Sequence, residues 1–263
     1  MNRIQDKALS ELIRSIGQVD FPEAFSHFMK KIVPFDNFIV FAYHKDHPPE
    51  VLYREFRNPE FFTAIDSHYI KGAYLLDPFY HAVSNGIQSN VHRLFDLAPD
   101  KFKQTSYFKE YYKDTTMVDE FAVFAHITNE TTITANFGRD KTSKMLFSKK
   151  ELALVRTFKS VLTILCEAHW QHYQPEEGRN VTLRPITDRL RSELNKQLNI
   201  TLTPRQSEVS MYILQGHSSL SIALNLNISK ETVKVFRRQL YSKCGISSQA
   251  ELFALLTPIL NTL

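Results

Sequence analysis

The sequence predicts an α+β N-terminal domain, an antiparallel sheet covered by helices, followed by an all-α domain of four short helices. Three observations carry this expectation. Strand-like segments come in adjacent pairs with helical segments before, between and after them. The stretch Gln171–Thr187 (QHYQPEEGRNVTLRPIT) combines two prolines, a Glu-Glu-Gly turn signal and few apolar residues, as a linker does. Beyond it, helix start and stop residues recur at short intervals up to the C-terminus. The predicted boundaries are 1–173 for the first domain, 174–199 for the linker and 200–263 for the second domain.

Leu9, Leu12, Ile13 and Ile16 recur at helical spacing, and Phe21–Val33 forms a second helical pattern with Pro22 near its start. Asn37–Tyr43 (NFIVFAY) and Glu50–Phe56 (EVLYREF) are strand-like and flank the loop HKDHPP, a hairpin with a longer connection. Helical segments are expected through much of Glu60–Lys113. Glu120–Ile127 and Thr131–Phe137 form two further strands around a turn at Asn129-Glu130. Ser148–His172 is expected as one long helix. Ser148 is its N-cap and Glu151 stands at the capping-box position, with Leu152, Val155, Phe158, Leu162, Leu165 and His169 on one side. A short helix over Asp188–Leu198 is expected within the linker.

In the last 60 residues the punctuation is dense. Thr203 caps a helix that has Pro204 at its first position and Gly216 just past its end. Ser218 starts a second, short helix ending near Asn225–Asn227. Ser229 caps a third, which Gly245 terminates, and Ser247 or Ser248 opens a fourth. The turn LNLNIS between the second and third is short enough to hold them at a large angle, the helix-turn-helix arrangement that lays one helix in a DNA major groove.

Composition removes several function classes. Only 7 of 263 residues are glycine and no phosphate-binding glycine pattern occurs, which disfavours a nucleotide-binding enzyme. Cys166 and Cys244 are too few for a disulfide framework. The N-terminus lacks the apolar core of a signal peptide, and no run of about 18 apolar residues exists for a membrane span. A cytoplasmic protein is expected. Neither a convergent histidine set nor a G-x-S-x-G or H-E-x-x-H pattern is present, so no metal, no cofactor and no enzymatic activity are expected. Residues 1–170 hold 21 Lys+Arg against 21 Asp+Glu, whereas residues 200–263 hold 6 against 3. The positive excess therefore sits with the helix-turn-helix, where an acidic partner such as DNA would meet it.

The C-terminal segment resembles the helix-turn-helix domain of the LuxR/FixJ (NarL-type) bacterial transcription regulators. The matching residues are Leu202, Thr203, Arg205, Glu208, Val209, Gly216, Ser218, Ile222, Ala223, Leu226, Ile228, Ser229, Thr232, Val233, Lys234, Lys243, Gly245, Ala250, Glu251 and Leu252. Phe236 stands where that family often has His, and Ser219-Leu220-Ser221 replaces its usual Asn-Lys-Glu. The resemblance implies a double-stranded DNA operator as partner, with Lys234, Val235 and Arg238 facing base edges. Arg238 suits guanine and Val235 a thymine methyl. Thr232, Arg237, Lys230 and Lys243 are better placed for phosphates, which set register without reading sequence. It further implies a homodimer, paired through a fourth helix bearing Leu252, Leu255, Leu256 and Ile259, and contact with RNA polymerase. Internal packing alone would also account for that stripe.

The order of elements in the first domain resembles the PAS/GAF-like ligand domain of the quorum-sensing LuxR regulators. Tyr69 and Leu76-Asp77-Pro78 carry the match. In acyl-homoserine-lactone receptors that Asp bonds the ligand amide, but the family's two Trp positions are unmatched here, so the chain is similar to "solo" regulators of unidentified effector. Residues 53–112 hold 14 aromatics in 60 positions, about twice the 12% chain average, a composition suited to a small-ligand pocket. The candidate ligand residues are Tyr69, Tyr74, Asp77, Phe79, Tyr80, Tyr107 and Asp119, with Glu120 as a further anionic group. Two other readings stay open at this level: an N-terminal domain that serves only dimerisation or protein docking, and an enzyme carrying a DNA-binding domain. In the first of these, Asp77 before Pro78 does no more than cap a helix.

Overall fold

The computed structural model describes residues 3–44, 47–56, 65–114, 116–143, 145–175 and 184–263. Phe61, Phe62 and Ala64, the side chain of Tyr111, and much of the expected linker lie outside the described residues. In chain order the elements are α1 Arg3–Arg14, α2 Phe21–Lys30, β1 Asn37–His44, β2 Glu50–Phe56, α3 Pro78–Ser84, β3 Val91–Arg93 and α4 Leu94–Leu97. There follow α5 Ser106–Asp114, β4 Met117–His126, β5 Thr131–Asp140, α6 Lys149–Thr157, α7 Lys159–Trp170, α8 Ile186–Leu198, α9 Pro204–Gln215, α10 Ser219–Leu226, α11 Lys230–Cys244 and α12 Gln249–Leu260. A π turn, Ile65–Tyr69, and 3-10 turns at Ala73–Leu76 and Phe102–Gln104 lie between these elements.

The chain forms two compact units. The first comprises residues 1–61, 82–97 and 116–180; the second comprises 62–81, 98–115 and 181–263.

In the first unit all five strands are antiparallel neighbours in the order β2-β1-β5-β4-β3. Period-two alternation sorts their side chains. Phe38, Val40 and Ala42 of β1, Ile133, Ala135 and Phe137 of β5, and Phe121, Val123 and Ala125 of β4 join one core with Phe21, Phe25 and Phe28 of α2 and Leu152, Val155, Leu162 and Leu165 of α6 and α7. Phe38 and Phe137 stack at 4.6 Å, 7° apart, at its centre. The opposite face of β1 is buried as well, which is why NFIVFAY has no polar alternation.

Both sequence-read hairpins form, each strand within a few residues of its expected ends. Three local expectations are corrected. The 148–172 helix is two helices, because Phe158 departs from helical geometry (φ −97°, ψ 1°) and caps α6 before α7 begins. Val91–Arg93, read within a helical region, pairs with β4 as an edge strand. Its three residues are too few to show a period. Ile13 is exposed rather than inward-facing, since Leu12 and Ala8 already occupy the buried side of α1.

Buried ionic pairs fasten this unit. Arg139, 2% exposed, donates to both oxygens of Glu151 and to the carbonyls of Pro34 and Leu146. Glu151 also closes the Ser148 capping box, so one carboxylate joins β5 to the start of α6.

Candidate nucleic-acid interface and sensor residues

The second unit holds the four C-terminal helices, and their ends are set by the residues expected from sequence. Thr203 accepts from the Gln206 amide while Gln206 returns a bond to the Thr203 amide, a complete capping box with Pro204 behind it. Ser218, Ser229 and Ser248 each accept from the amide three residues on. Gly216 and Gly245 end α9 and α11 at positive φ (96° and 63°), where a side chain would be strained. Ser207, Val209, Ser210, Ile213 and Leu214 of α9 lie buried with Ile222 of α10, Val233 and Leu240 of α11, and Leu252 and Leu256 of α12.

With Val233 and Leu240 turned inward, α11 presents Lys230, Lys234, Val235 and Arg238 to solvent. Val235 is 47% exposed. Lys234 and Arg238 are one turn apart and share a face. Lys230, Lys234 and Arg238 make no ion pair among the described residues. Cations on the neighbouring helices do: Arg191 with Asp188, Lys196 with Glu193, Arg205 with Glu208. The other phosphate candidates are partly engaged within the unit. Thr232 pairs its hydroxyl with Ser229, the Arg237 guanidinium lies 5.2 Å from the Tyr241 ring centre, and Lys243 donates to the Thr201 carbonyl at 2.8 Å. Phe236 is half-buried. Of the α12 stripe, Leu252, Leu256 and Ile259 are buried within the unit and Leu255 is intermediate.

Six of the seven named ligand residues also fall in the second unit, and five are buried. Tyr69, Asp77 and Phe79 come together: the Tyr69 hydroxyl and the Phe79 amide each donate to one oxygen of Asp77. Burial pushes the Asp77 carboxyl up to about 6, against the lowering effect of those two donors. Tyr74 meets Tyr80 edge-to-face at 4.9 Å, and burial raises its hydroxyl well above the usual range. Tyr107 belongs to another aromatic group, 6.0 Å from Phe102. Asp119 is in the first unit and fully buried. It takes two bonds from Arg93 and one each from the Phe147 and Glu120 amides, the pattern of a structural anchor. Two open depressions of about 500 and 330 Å³ lie along α1 and α2, lined by residues such as Lys7, Glu11 and His27 that sequence reading did not single out.

Residues 200–256 match the luxR family of bacterial regulatory proteins. An HTH-type transcriptional regulator in the exeN 3'region of Aeromonas salmonicida is 30% identical over 184 residues, 68% of this chain and 92% of that protein. This chain belongs to the LuxR family. The VqsR LBD domain of Pseudomonas aeruginosa superposes with a TM-score of 0.56 at 19% identity, over 66% of this chain and all of that one, a likeness of fold. SdiA in complex with octanoyl-rac-glycerol gives a TM-score of 0.42 at 14% identity, over 99% and 96% of the two chains.

The LuxR-family chain has functional candidates that sequence reading missed. Asp100 Oδ1 accepts from the Ser218 amide at 2.9 Å, and the Lys101 amide donates to the Gly216 carbonyl at 2.9 Å. A Cβ on Gly216 would fall 2.7 Å from Phe102 Cα, and one on Gly72 would fall 2.7 Å from the Leu260 carbonyl oxygen. His81, partly buried, contacts the Leu75 carbonyl at 2.7 Å, and desolvation drives its ring pKa down to about 4. Glycines at 72 and 216 were the available signal. Gly216 already explains itself as a helix stop, so its second role leaves no separate trace in sequence.

Proposed function

We propose that this LuxR-family transcription regulator reads its operator through the α11 stripe Lys234, Val235 and Arg238, and that a small molecule recognised by the N-terminal residues alters that binding. The single observation behind the DNA reading is the set of cations on α11, Lys230, Lys234 and Arg238, that make no ion pair among the described residues, around a solvent-facing valine, on a helix whose ends are capped and whose other side is core. Arg238 suits bidentate contact with guanine and Val235 contact with a thymine methyl, while Lys230 and the amides opening α11 suit phosphate. Binding as a homodimer would place two such helices on half-sites about 34 Å apart, and contact with RNA polymerase would follow from where the dimer sits. Footprinting on genomic fragments selected by the purified protein tests the DNA reading. Lys234→Ala and Arg238→Ala are expected to lose or relax the footprint with far-UV circular dichroism unchanged. Light scattering on the protein–DNA complex tests the two-copy stoichiometry.

The sensor reading rests on the enclosed Tyr69–Asp77 pair among aromatic side chains. A second reading has its own observation: both Asp77 oxygens already have donors, as in a helix cap with no guest. A thermal-shift screen of the full chain against amines, amides, acyl lactones and aromatic acids separates them. A saturable shift that Asp77→Ala abolishes supports sensing; no shift supports the capping role.

A further inference from the structure

The loop bearing Asp100 and the turn joining α9 to α10 both belong to the second unit, and two hydrogen bonds join them, one between backbones and one to a side chain. Lys101 N–H donates to the Gly216 carbonyl and Ser218 N–H to the Asp100 carboxylate. The close approach at Gly216 continues onto Phe102 N and Thr105 Cγ2, both 2.8 Å from where a Cβ would stand. Farther along, Gly72 meets the end of α12 with equally little room. Two contacts that only glycine permits, at two separate places, show that this surface is matched to the helix-turn-helix rather than laid against it.

We propose that residues 98–105 form a latch that holds the helix-turn-helix away from DNA, with Asp100 as its electrostatic element. In a helix-turn-helix the helix ahead of the recognition helix crosses the DNA backbone, and amides opening such a helix are phosphate donors. Ser218 is the N-cap of α10, and its N–H is already taken by a carboxylate. DNA phosphate and Asp100 thus compete for one backbone group, and like charge keeps them apart. The latched population subtracts from the binding-competent one, so apparent affinity falls by the competent fraction. Tyr69 and Asp77 lie within residues 62–81, which also carry Gly72, so a guest there would act on the surface that holds the latch.

This inference rests on the DNA-binding reading above, and the experiment keeps the two apart. The full-length protein and its Asp100→Ala and Glu110→Ala variants are titrated with a fluorescein-labelled 30-base-pair duplex by anisotropy. Glu110 is an exposed acid of the same unit, so its removal reports the general effect of one negative charge. Amide exchange at Ser218 is followed by NMR without DNA. The expected result is faster Ser218 exchange in Asp100→Ala alone and DNA binding on the order of fivefold tighter than wild type, with Glu110→Ala well below that. Equal tightening by both variants overturns the latch, as does unchanged Ser218 exchange or unchanged affinity in Asp100→Ala. Absence of DNA binding by all three proteins overturns the DNA-binding reading and the latch with it.

Discussion

The Tyr69 hydroxyl lies 2.5 Å from Asp77 Oδ2, and both side chains are buried. Desolvation outweighs that donor and the Phe79 amide, so the folded-state pKa of Asp77 stands at about 6 against 3.8 when unfolded. Between those values the folded protein binds more protons than the unfolded chain. Stability therefore falls as pH rises from 4 to 6, by on the order of 3 kcal/mol in full. Asp77→Asn keeps one carbonyl oxygen to accept from the Phe79 amide, turns its amide N–H towards the Tyr69 hydroxyl oxygen, and cannot ionise. We expect it to be more stable than wild type at pH 7 and equal to it below pH 4, measured by urea unfolding at both values. A variant less stable at pH 7 would show that the ionised carboxylate is favourable where it sits.

His81 works in the opposite direction. Burial holds its pKa at about 4, with the Leu75 carbonyl raising and nearby His217 lowering it. The unfolded chain takes up this proton first, so the stability contributed by the neutral ring is lost as pH falls from 6.5 towards 4. The His81 ring proton resonance should titrate near pH 4 in NMR. A midpoint close to 6.5 would mean that the ring is hydrated in solution.

Arg139 and Glu151 form a fastening whose loss is one-sided. Removing the guanidinium leaves Glu151 with only its Ser148 bonds and takes a donor from the Pro34 and Leu146 carbonyls, so Arg139→Ala should cost about 3 kcal/mol. Glu151 is held down to about 2, chiefly by Arg139, and its contribution is present above pH 4.5 and lost as pH falls towards 2. Glu151→Gln should flatten that acid limb in urea midpoints taken from pH 2 to 5. Because the side chain is 28% exposed, solvent screening keeps the change below that of Arg139→Ala.

On α11 the roles divide by side chain. Arg238→Ala should cost about 1–3 kcal/mol on the preferred site and relax one base position. Lys230→Ala should weaken all sequences alike and reduce the salt slope of log affinity by about 1. Lys243→Ala should lower thermal stability, since its ammonium ties the end of α11 to the Thr201 carbonyl. Binding isotherms at four salt concentrations on matched and scrambled duplexes separate the three.

Much of this was legible in sequence where the cause is local. Caps at Thr203, Ser218, Ser229 and Gly245 act within four residues, so their bonds follow from neighbours in the chain. Strand-like segments flanking the turn at Asn129-Glu130 placed β4 and β5, and the segment NFIVFAY ahead of the HKDHPP loop placed β1. The break at Phe158 was not legible, because Leu152, Val155, Leu162 and Leu165 keep helical spacing across it. Asp119 looked like a ligand anchor because an isolated acid among aromatics carries no mark of its partner. Arg93, 26 residues earlier, takes it.

By itself, then, the sequence determined the two fold classes, which are written in periodicity and in caps a few residues long, and the resemblance carried by residues 202–252 pointed to the helix-turn-helix family and the outward face of α11. Only the tertiary structure decided which carboxylates are occupied and by what. Asp100 and Ser218 are 118 residues apart, and Arg139 reaches Pro34 across 105. Such pairings are chosen by the packing of whole elements, after the chain has closed long loops whose entropic cost barely depends on which residues meet.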